Sequence, residues 1–329
     1  MWSTPISFRG LVPGSLRGES GLFEQVFSDG AMFVAAGGGH TIVLKKDGSV
    51  WGMGRNYQGQ LGDGTTIRKD TFLYLQIIPL AKAAAAGGGN TMVVTQNGCV
   101  FATGWNQYGQ IGDGSTSDRI RFREVIFGEA EAVAAGDCHS VVLKKDGSVW
   151  AAGRNRHGQL GDGSKMDRYY FVKVMNSGAA AVATGGAYSM VVKQDGSVWV
   201  TGGSEHGQLG YGCTIERISY AQVVSSGAKA VAAGRRHSIM LKQDGSVWSS
   251  GDNRFGQLGD GSTVNSCIYV QAMPDGATAI AAGAFHSMVL KEDGSIWATG
   301  SNKHGQFGDE SITITKNFIK LDPFIKGTG

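Results

Sequence analysis

Residues 133–163 read VAAGDCHSVVLKKDGSVWAAGRNRHGQLGDG, and this stretch decides the fold because it recurs along the chain. The pairs Gly39-His40, Gly89-Asn90, Cys138-His139, Ala187-Tyr188, Arg236-His237 and Phe285-His286 advance by 50 residues once and then by 49 four times. Gly59-Gln60, Gly109-Gln110, Gly158-Gln159, Gly207-Gln208, Gly256-Gln257 and Gly305-Gln306 keep the same step. A fixed period of this length marks a repeat architecture in which each copy is one supersecondary unit. A residue present in every copy serves the scaffold, because no active site is needed six times in one chain. Individual function lies where the copies differ.

Within the quoted copy, the small apolar run at 132–135 and the alternating residues 139–144 read as two strands, A and B. Lys145-Asp146-Gly147 supplies a two-residue hairpin signal, residues 148–153 return as strand C, and residues 171–174 follow a turn-rich loop as strand D. A four-stranded sheet this small cannot bury its apolar faces alone. Radial stacking of copies buries them, which makes the fold all-β and a β-propeller. Strand A is alanine-rich in every copy, as suits the crowded positions nearest the axis.

The ends of the repeat set the blade count. The strand D aromatic occurs at Phe23, Phe72, Phe122, Phe171, Tyr220, Tyr269 and Phe318, whereas the A–B hairpin occurs six times. Trp2 precedes Phe23 by the offset that separates Trp51 from Phe72. Residues 1–329 therefore read as one propeller domain: a degenerate half-blade over 1–26, six full blades over 27–321, and a closure segment over 322–329. The expectation is seven blades with the seventh composite and incomplete, the alternative being six blades with the N-terminal half-unit displaced.

Composition narrows the class. With 41% hydrophobic and 17% charged residues the chain can bury a large core. The 53 glycines fall at fixed offsets and mark turns rather than a flexible linker. Net charge is only +3 and no like-charge run occurs, so neither a nucleic-acid tail nor a polybasic membrane anchor is expected. Cys99, Cys138, Cys213 and Cys267 form no Cys-x-x-Cys pair and read as free, buried thiols. The opening MWSTPISFRGLVPGSLRG lacks the apolar core of a signal peptide, and no run of about 18 apolar residues occurs. A soluble intracellular protein is expected, cytoplasmic or nuclear.

The repeated pattern GxxHSxxLKxDGSVWxxGxNxxGQLGDG resembles the repeats of the regulator of chromosome condensation family over residues 23–321. Copy two departs at Asn90, at Asn97-Gly98-Cys99 and at Phe101; copy four departs at Tyr188, Gly203 and Tyr211. The resemblance implies a seven-bladed propeller that recognises proteins through one face. Among the family are a guanine-nucleotide exchange factor for a Ran-type GTPase, parts of ubiquitin ligases, a plant ultraviolet photoreceptor and a β-lactamase inhibitor; fold alone does not choose among them. The exchange factor's hairpin wedge would break the 49-residue step, and no interruption occurs. The photoreceptor's Trp between Gly and His of the A–B turn has no counterpart here.

No catalytic constellation stands out, and no cofactor or metal is expected. The His-Ser or His-Thr pairs at His40, His139, His237 and His286 are adjacent on strands, so their side chains point to opposite faces and form no triad. The expectation is that each His bonds within its own blade. The GQLGDG loops lack the Lys-Ser/Thr end of a phosphate loop. Asp63, Asp113, Asp162, Asp260 and Asp309 give one carboxylate per loop, too few for calcium.

Chain direction places the A–B turns and the C–D loops on the same face, and there the copies differ. The candidate partner-binding residues are Arg55, Tyr57, Trp105, Tyr108, Asp137, Arg154, Arg156, His157, Glu205, His206, Arg235, Arg236, Arg254, Phe255, Phe285, Lys303 and His304. Arginine and aromatic residues are enriched at interface hot spots. Counted with Asp252, seven Arg/Lys oppose three carboxylates, which favours an acidic partner surface. The function expected is a non-enzymatic protein-interaction module presenting this face. The alternative is an exchange-factor-like regulator of a Ran-type small GTPase, and a weaker option is nucleic-acid binding with a steep salt slope.

Overall fold

The computed structural model describes residues 30–75, 80–308 and 312–321. Among these, every strand belongs to one of six four-stranded antiparallel sheets, each in simple sequence order from A to D. The blades span 31–75, 81–126, 130–175, 179–224, 228–273 and 277–321. In the third, the strands are Ala130–Ala135, His139–Lys144, Val149–Gly153 and Arg168–Met175. Strands B and C match the sequence reading to within a residue. Strands A and D are longer than the apolar run alone suggested, because strand D is half exposed and alternates with charge. The structure thus shows six blades. The composite seventh, from residues 1–26 and 322–329, lies outside the described residues.

Strand A of each blade packs on strand A of the next from the first blade to the sixth, which places the alanine-rich strands around the axis. The cores lie between blades, not within them. Ile42, Leu44, Val50, Leu61 and Leu75 of blade 1 share a cluster with Ala81, Ala84, Ala86 and Val93 of blade 2, and blades 2–6 repeat the arrangement. At about 2 kcal/mol for a fully buried aliphatic side chain, each joint gains several kcal/mol from burial. Blade 6 differs at one position: Ile296 is 41% exposed where Val149, Val198 and Val247 are fully buried, while Ala298 and Phe307 of the same blade stay buried. Cys99, Cys138, Cys213 and Cys267 are free as expected, but all four prove half-buried rather than buried.

A polar relay fixes each joint. His40 Nε2 lies 2.8 Å from Thr91 Oγ1 of the next blade, and that hydroxyl donates to the Gln60 carbonyl of the first blade at 2.6 Å. His139 reaches Ser189, and His237 reaches Ser287, each at 2.9 Å; these serines donate to the Gln159 and Gln257 carbonyls. Because each hydroxyl donates its proton to a carbonyl, it accepts from the imidazole, and Nε2 carries the hydrogen. The expectation that each His bonds within its own blade is therefore corrected. Adjacent His and Ser do face opposite ways, and for that reason one contacts the following blade while the other contacts the preceding one.

Two glycines per copy exist to admit these contacts. A Cβ on Gly283 would fall on the His286 ring, 2.5 Å from Nδ1. Gly62 takes φ +69°, and its missing Cβ is where the Phe122 ring of the next blade's strand D lies. Phe171, Tyr220, Tyr269 and Phe318 press on Gly112, Gly161, Gly210 and Gly259 in the same way, which explains the repeated aromatic.

The loops are equally determined. Asn155 is fully buried, donates to Asp162 Oδ1 at 2.9 Å and to the Ser164 carbonyl, and accepts from the Leu160 amide. Asp162 also holds Arg168 at 2.7 Å, so this carboxylate braces the loop. In the hairpin, Trp150 Nε1 donates to Ser148 Oγ and Lys144 lies over the indole at 4.5 Å, a pattern shared by five blades.

Two predictions follow from the relay. Burial lowers the pKa of His40 to about 4, of His237 to about 3 and of His286 to about 4, with the Arg55 charge adding at His40 and His286 adding at His237. The unfolded chain protonates these rings below about 6.5, the folded chain only near 4, so unfolding takes up protons in between. Stability is expected to be level above pH 7 and to fall between pH 6.5 and 4, read as the urea midpoint. Asp63, Asp113 and Asp162, held below 3.8, add their loss only at lower pH. His237→Asn, the residue that blade 2 carries as Asn90, should flatten the decline; an unchanged slope would count against the histidine origin.

Gly283→Ala is expected to cost about 1–3 kcal/mol through overpacking against the imidazole. In the double variant with His286→Ala the clash disappears, so a cycle should show coupling of about 1 kcal/mol or more. Strict additivity would mean that the ring is not what the glycine accommodates.

Candidate interaction face

The A–B turn and the C–D loop of each blade are joined by one backbone hydrogen bond. Arg55, Trp105, Arg154, Gly203, Asp252 and Ser301 each donate an amide to the carbonyl of Gly39, Gly89, Cys138, Ala187, Arg236 and Phe285 respectively, at 2.7–2.9 Å. Both connections therefore emerge on one face in all six blades, and the Asp-Gly hairpins lie at the other end of the strands. The turns also touch one another around the axis, through Gly38 N to Gly87 O, Gly88 N to Gly136 O and Gly186 N to Arg235 O. The predicted site residues are thus brought to a common rim.

Several of them are paired there. The Arg55 guanidinium lies 5.7 Å from the Tyr57 ring centre. Trp105 meets Tyr108 edge to face at 5.5 Å, and Arg154 of the next blade lies over Tyr108 at 4.7 Å. Phe255 and Phe285 repeat that arrangement across the joint of blades 5 and 6, at 5.3 Å, with Lys303 over Phe255 at 5.5 Å. These contacts set the aromatic side chains against one another and against cations at the rim. Arg156, Glu205 and His304 are exposed and make no such ring contact among the described residues.

The acidic residues are largely committed. Asp252 is fully buried and receives a two-pronged fork from Arg254, at 2.8 Å to each oxygen. Burial pushes the Asp252 pKa up, but the fork outweighs it and holds the carboxyl below the usual range. Asp137 lies 3.6 Å from Arg235, although 98 residues separate them in sequence (235 − 137). Of the three carboxylates counted on this face, Glu205 alone forms no ion pair among the described residues. Arg55, Arg154, Arg156, Arg236 and Lys303 form none either. Each pair removes one arginine with one carboxylate, so the net charge of the face is unchanged and is carried by these five unpaired cations against Glu205. His206 is shifted down, first by burial and then by Arg236 and Arg254, against the opposing pull of Asp252.

His157 belongs to the rim by position but also reaches Glu216 of blade 4 through Nδ1 at 3.2 Å. Two features escaped the sequence reading. Asp252, counted only as a charge, is the buried anchor of Arg254, and the signal was its spacing of two residues from that arginine. Gly186, Ala187 and Gly203 matter through the side chains they lack. Among the described residues no group of three His, Cys, Asp or Glu side chains is placed to hold a metal ion.

Comparison with known proteins agrees with this geometry. A family model described as the regulator of chromosome condensation (RCC1) repeat matches residues 33–60, 81–110, 131–159, 228–257 and 277–306. A second with the same description matches 97–143, 146–192 and 244–290, and together the two cover more than half of the chain. No curated protein matches the sequence. Among solved structures, human WBSCR16 superposes with a TM-score of 0.83 at 22% identity, over 98% of this chain and 89% of that one. Yeast RCC1 (Prp20), solved with Kap60 bound, gives 0.78 at 20% identity over 89% and 75%. Prp20p from Saccharomyces cerevisiae, described with its binding to Gsp1p and histones, gives 0.76 at 20% over 89% and 77%. At these identities the likeness is one of fold, and with the repeat matches it places this chain in the regulator of chromosome condensation (RCC1) repeat family.

Proposed function

We propose that this chain is a non-enzymatic protein-interaction module whose Arg/aromatic rim docks on an acidic surface of a protein partner. One observation carries the reading: the two connections that vary between blades are hydrogen-bonded side by side on a single face, while the residues repeated in the blades are buried at the joints. The rim has the composition of a hot spot, with aromatic pairs in edge-to-face contact and with Arg55, Arg154, Arg156 and Arg236 in no ion pair among the described residues. Its positive field would speed encounter with an acidic partner and would be screened by salt. The yeast relative is described with Gsp1p, histones and Kap60 as binding partners, all proteins, which supports protein recognition as the use of this architecture.

Affinity capture from extract with the full chain, with Arg235→Ala/Arg236→Ala/Phe285→Ala, and with the hairpin-side variant Lys46→Ala/Lys145→Ala tests this directly. The expected result is a set of proteins held by wild type and the hairpin-side variant, lost by the face variant and released by raised salt. Equal retention by both variants would remove the face from consideration. The likeness to yeast RCC1 favours a second reading, regulation of nucleotide exchange on a Ran-type GTPase. It expects stimulated nucleotide release that Arg235→Ala/Arg236→Ala abolishes.

A further inference from the structure

A groove of about 410 Å³ opens in the outer wall of the propeller, between blades 3 and 4. Val174 and Met175, from strand D of blade 3, line one side, and Trp199 and Tyr220 of blade 4 line the other. Lys193, which ends strand B of blade 4 at its hairpin, borders one end. Ser219 borders the other, beside the loop of Asp162 and Gly163.

One position of the repeat explains why the groove opens at this joint. Opposite Asp63, Asp113, Asp162, Tyr211 and Asp260 the following blade presents Arg121, Tyr170, Ser219, Ile268 and Asn317. The Arg121 and Tyr170 side chains lie across the preceding loop, 2.6 and 2.1 Å from where a Cβ on Gly64 or Gly114 would stand. Ser219, the shortest of the five, stays 3.6 Å from the same point on Gly163. Ile268 also leaves Gly212 clear, but there Tyr211 stands in place of Asp and packs against the joint.

The charge in the groove is equally particular. Lys193 Nζ lies 4.1 Å from the centre of the Trp199 ring and forms no ion pair among the described residues. Lys173 also borders the groove, but its ammonium lies 5.4 Å from the Trp150 ring, which packs toward blade 2. The carboxylates at either end are committed, Asp162 to Arg168 at 2.7 Å and Asp195 to the amide and hydroxyl of Ser197 at 2.9 and 2.6 Å. The groove thus offers one uncommitted ammonium beside apolar and aromatic surface.

We propose that this groove is a small-molecule site for an aromatic carboxylate, whose ring lies among Val174, Met175, Trp199 and Tyr220 while its carboxylate pairs with Lys193. The volume falls within the range of about 300–1,000 Å³ common to such sites. Thioether and aromatic neighbours favour a planar ring. An ammonium resting on an indole is partly desolvated, so a carboxylate there gains a charge-assisted hydrogen bond. A cationic ligand is repelled, and a polyanion meets a single charge rather than a track. The site lies on the wall and not on the rim, so it is independent of docking on a protein partner.

The test is a ligand-observed NMR titration of the full chain with 2-naphthoate, with naphthalene-2-carboxamide and 2-naphthylmethylamine as neutral and cationic comparators. The acid should bind about tenfold more tightly than the amide, the worth of one charge-assisted hydrogen bond, and the amine should bind more weakly than either. Lys193→Met keeps an unbranched chain over the indole and should erase the difference between acid and amide. Ser219→Tyr gives blade 4 the residue that blade 3 carries as Tyr170, so it should cover the groove and abolish binding of all three. If Ser219→Tyr unfolds, Lys193→Glu replaces it and should reverse the preference, the amine then binding more tightly than the acid. Lys242→Met, over Trp248 at the next joint, should change nothing. Absence of naphthoate binding by wild type, binding left intact by a folded Ser219→Tyr, or an unreversed preference in Lys193→Glu would overturn the site. Equal loss in Lys242→Met would overturn its placement between blades 3 and 4, and equal affinity for acid and amide would overturn the choice of a carboxylate. None of these outcomes bears on capture by the rim.

Discussion

The joint between blades depends on a directional contact laid over a non-directional one. Burial of Ile, Leu, Val and Ala between sheets supplies most of the free energy, several kcal/mol per joint against about 1 kcal/mol for a typical hydrogen bond. Burial alone does not fix where one sheet sits along its neighbour. The relay from imidazole to hydroxyl to the Gln carbonyl does, because all its groups are buried and each would be costly to leave unmade. It ties strand B of one blade to strand B of the next and, through the Gln carbonyl, to the loop that begins the rim. The face and the core are thereby parts of one hydrogen-bonded unit.

The departures from the repeat are compensated along the same lines. In blade 2, Asn90 replaces His and still reaches Ser140 through its amide at 3.1 Å, while Phe101 replaces Trp in the copy where Cys99 replaces the serine that accepts the indole N–H elsewhere. In blade 4, Tyr188 replaces His and donates to the His237 carbonyl instead of a hydroxyl. Ser204 and Tyr211 replace the Asn and Asp that brace the other loops, and Arg217 stacks on Tyr211 at 4.5 Å. Each change removes a donor together with its acceptor or supplies another of similar reach. Substitutions that look isolated in sequence are paired in space.

That pairing marks the limit of what the sequence discloses. The 49-residue period, the Asp-Gly hairpins and the alternation of strand B are local, so the blade and its strand order can be read from residues. The alternation says that His139 and Ser140 face opposite ways; it does not say that His139 meets Ser189, which requires knowing that blades stack with strand B beside strand B. Side-by-side emergence of turn and loop was legible from chain direction. The bond from Arg235 to Asp137 was not, since it skips a whole blade and exists because Gly186 leaves room beneath it. The fork from Arg254 to Asp252 was within reach at two residues apart, but a position in a turn-rich loop gives no sign that Asp252 is fully buried.

Rigidity at the rim bears on how such a face would discriminate. Asn56, Asn106, Asn155 and Asn253 hold their loops from within, each accepting a backbone amide five residues on, so the loops carrying Arg55, Tyr57, Tyr108, Arg156 and Arg254 start from fixed positions. Little backbone ordering entropy would then be lost when such a loop docks. Blade 4 departs from this pattern: Ser204 stands where the other loops have Asn and reaches the Cys213 carbonyl at 3.3 Å, so the loop that carries Glu205 and His206 is braced by fewer bonds from that position.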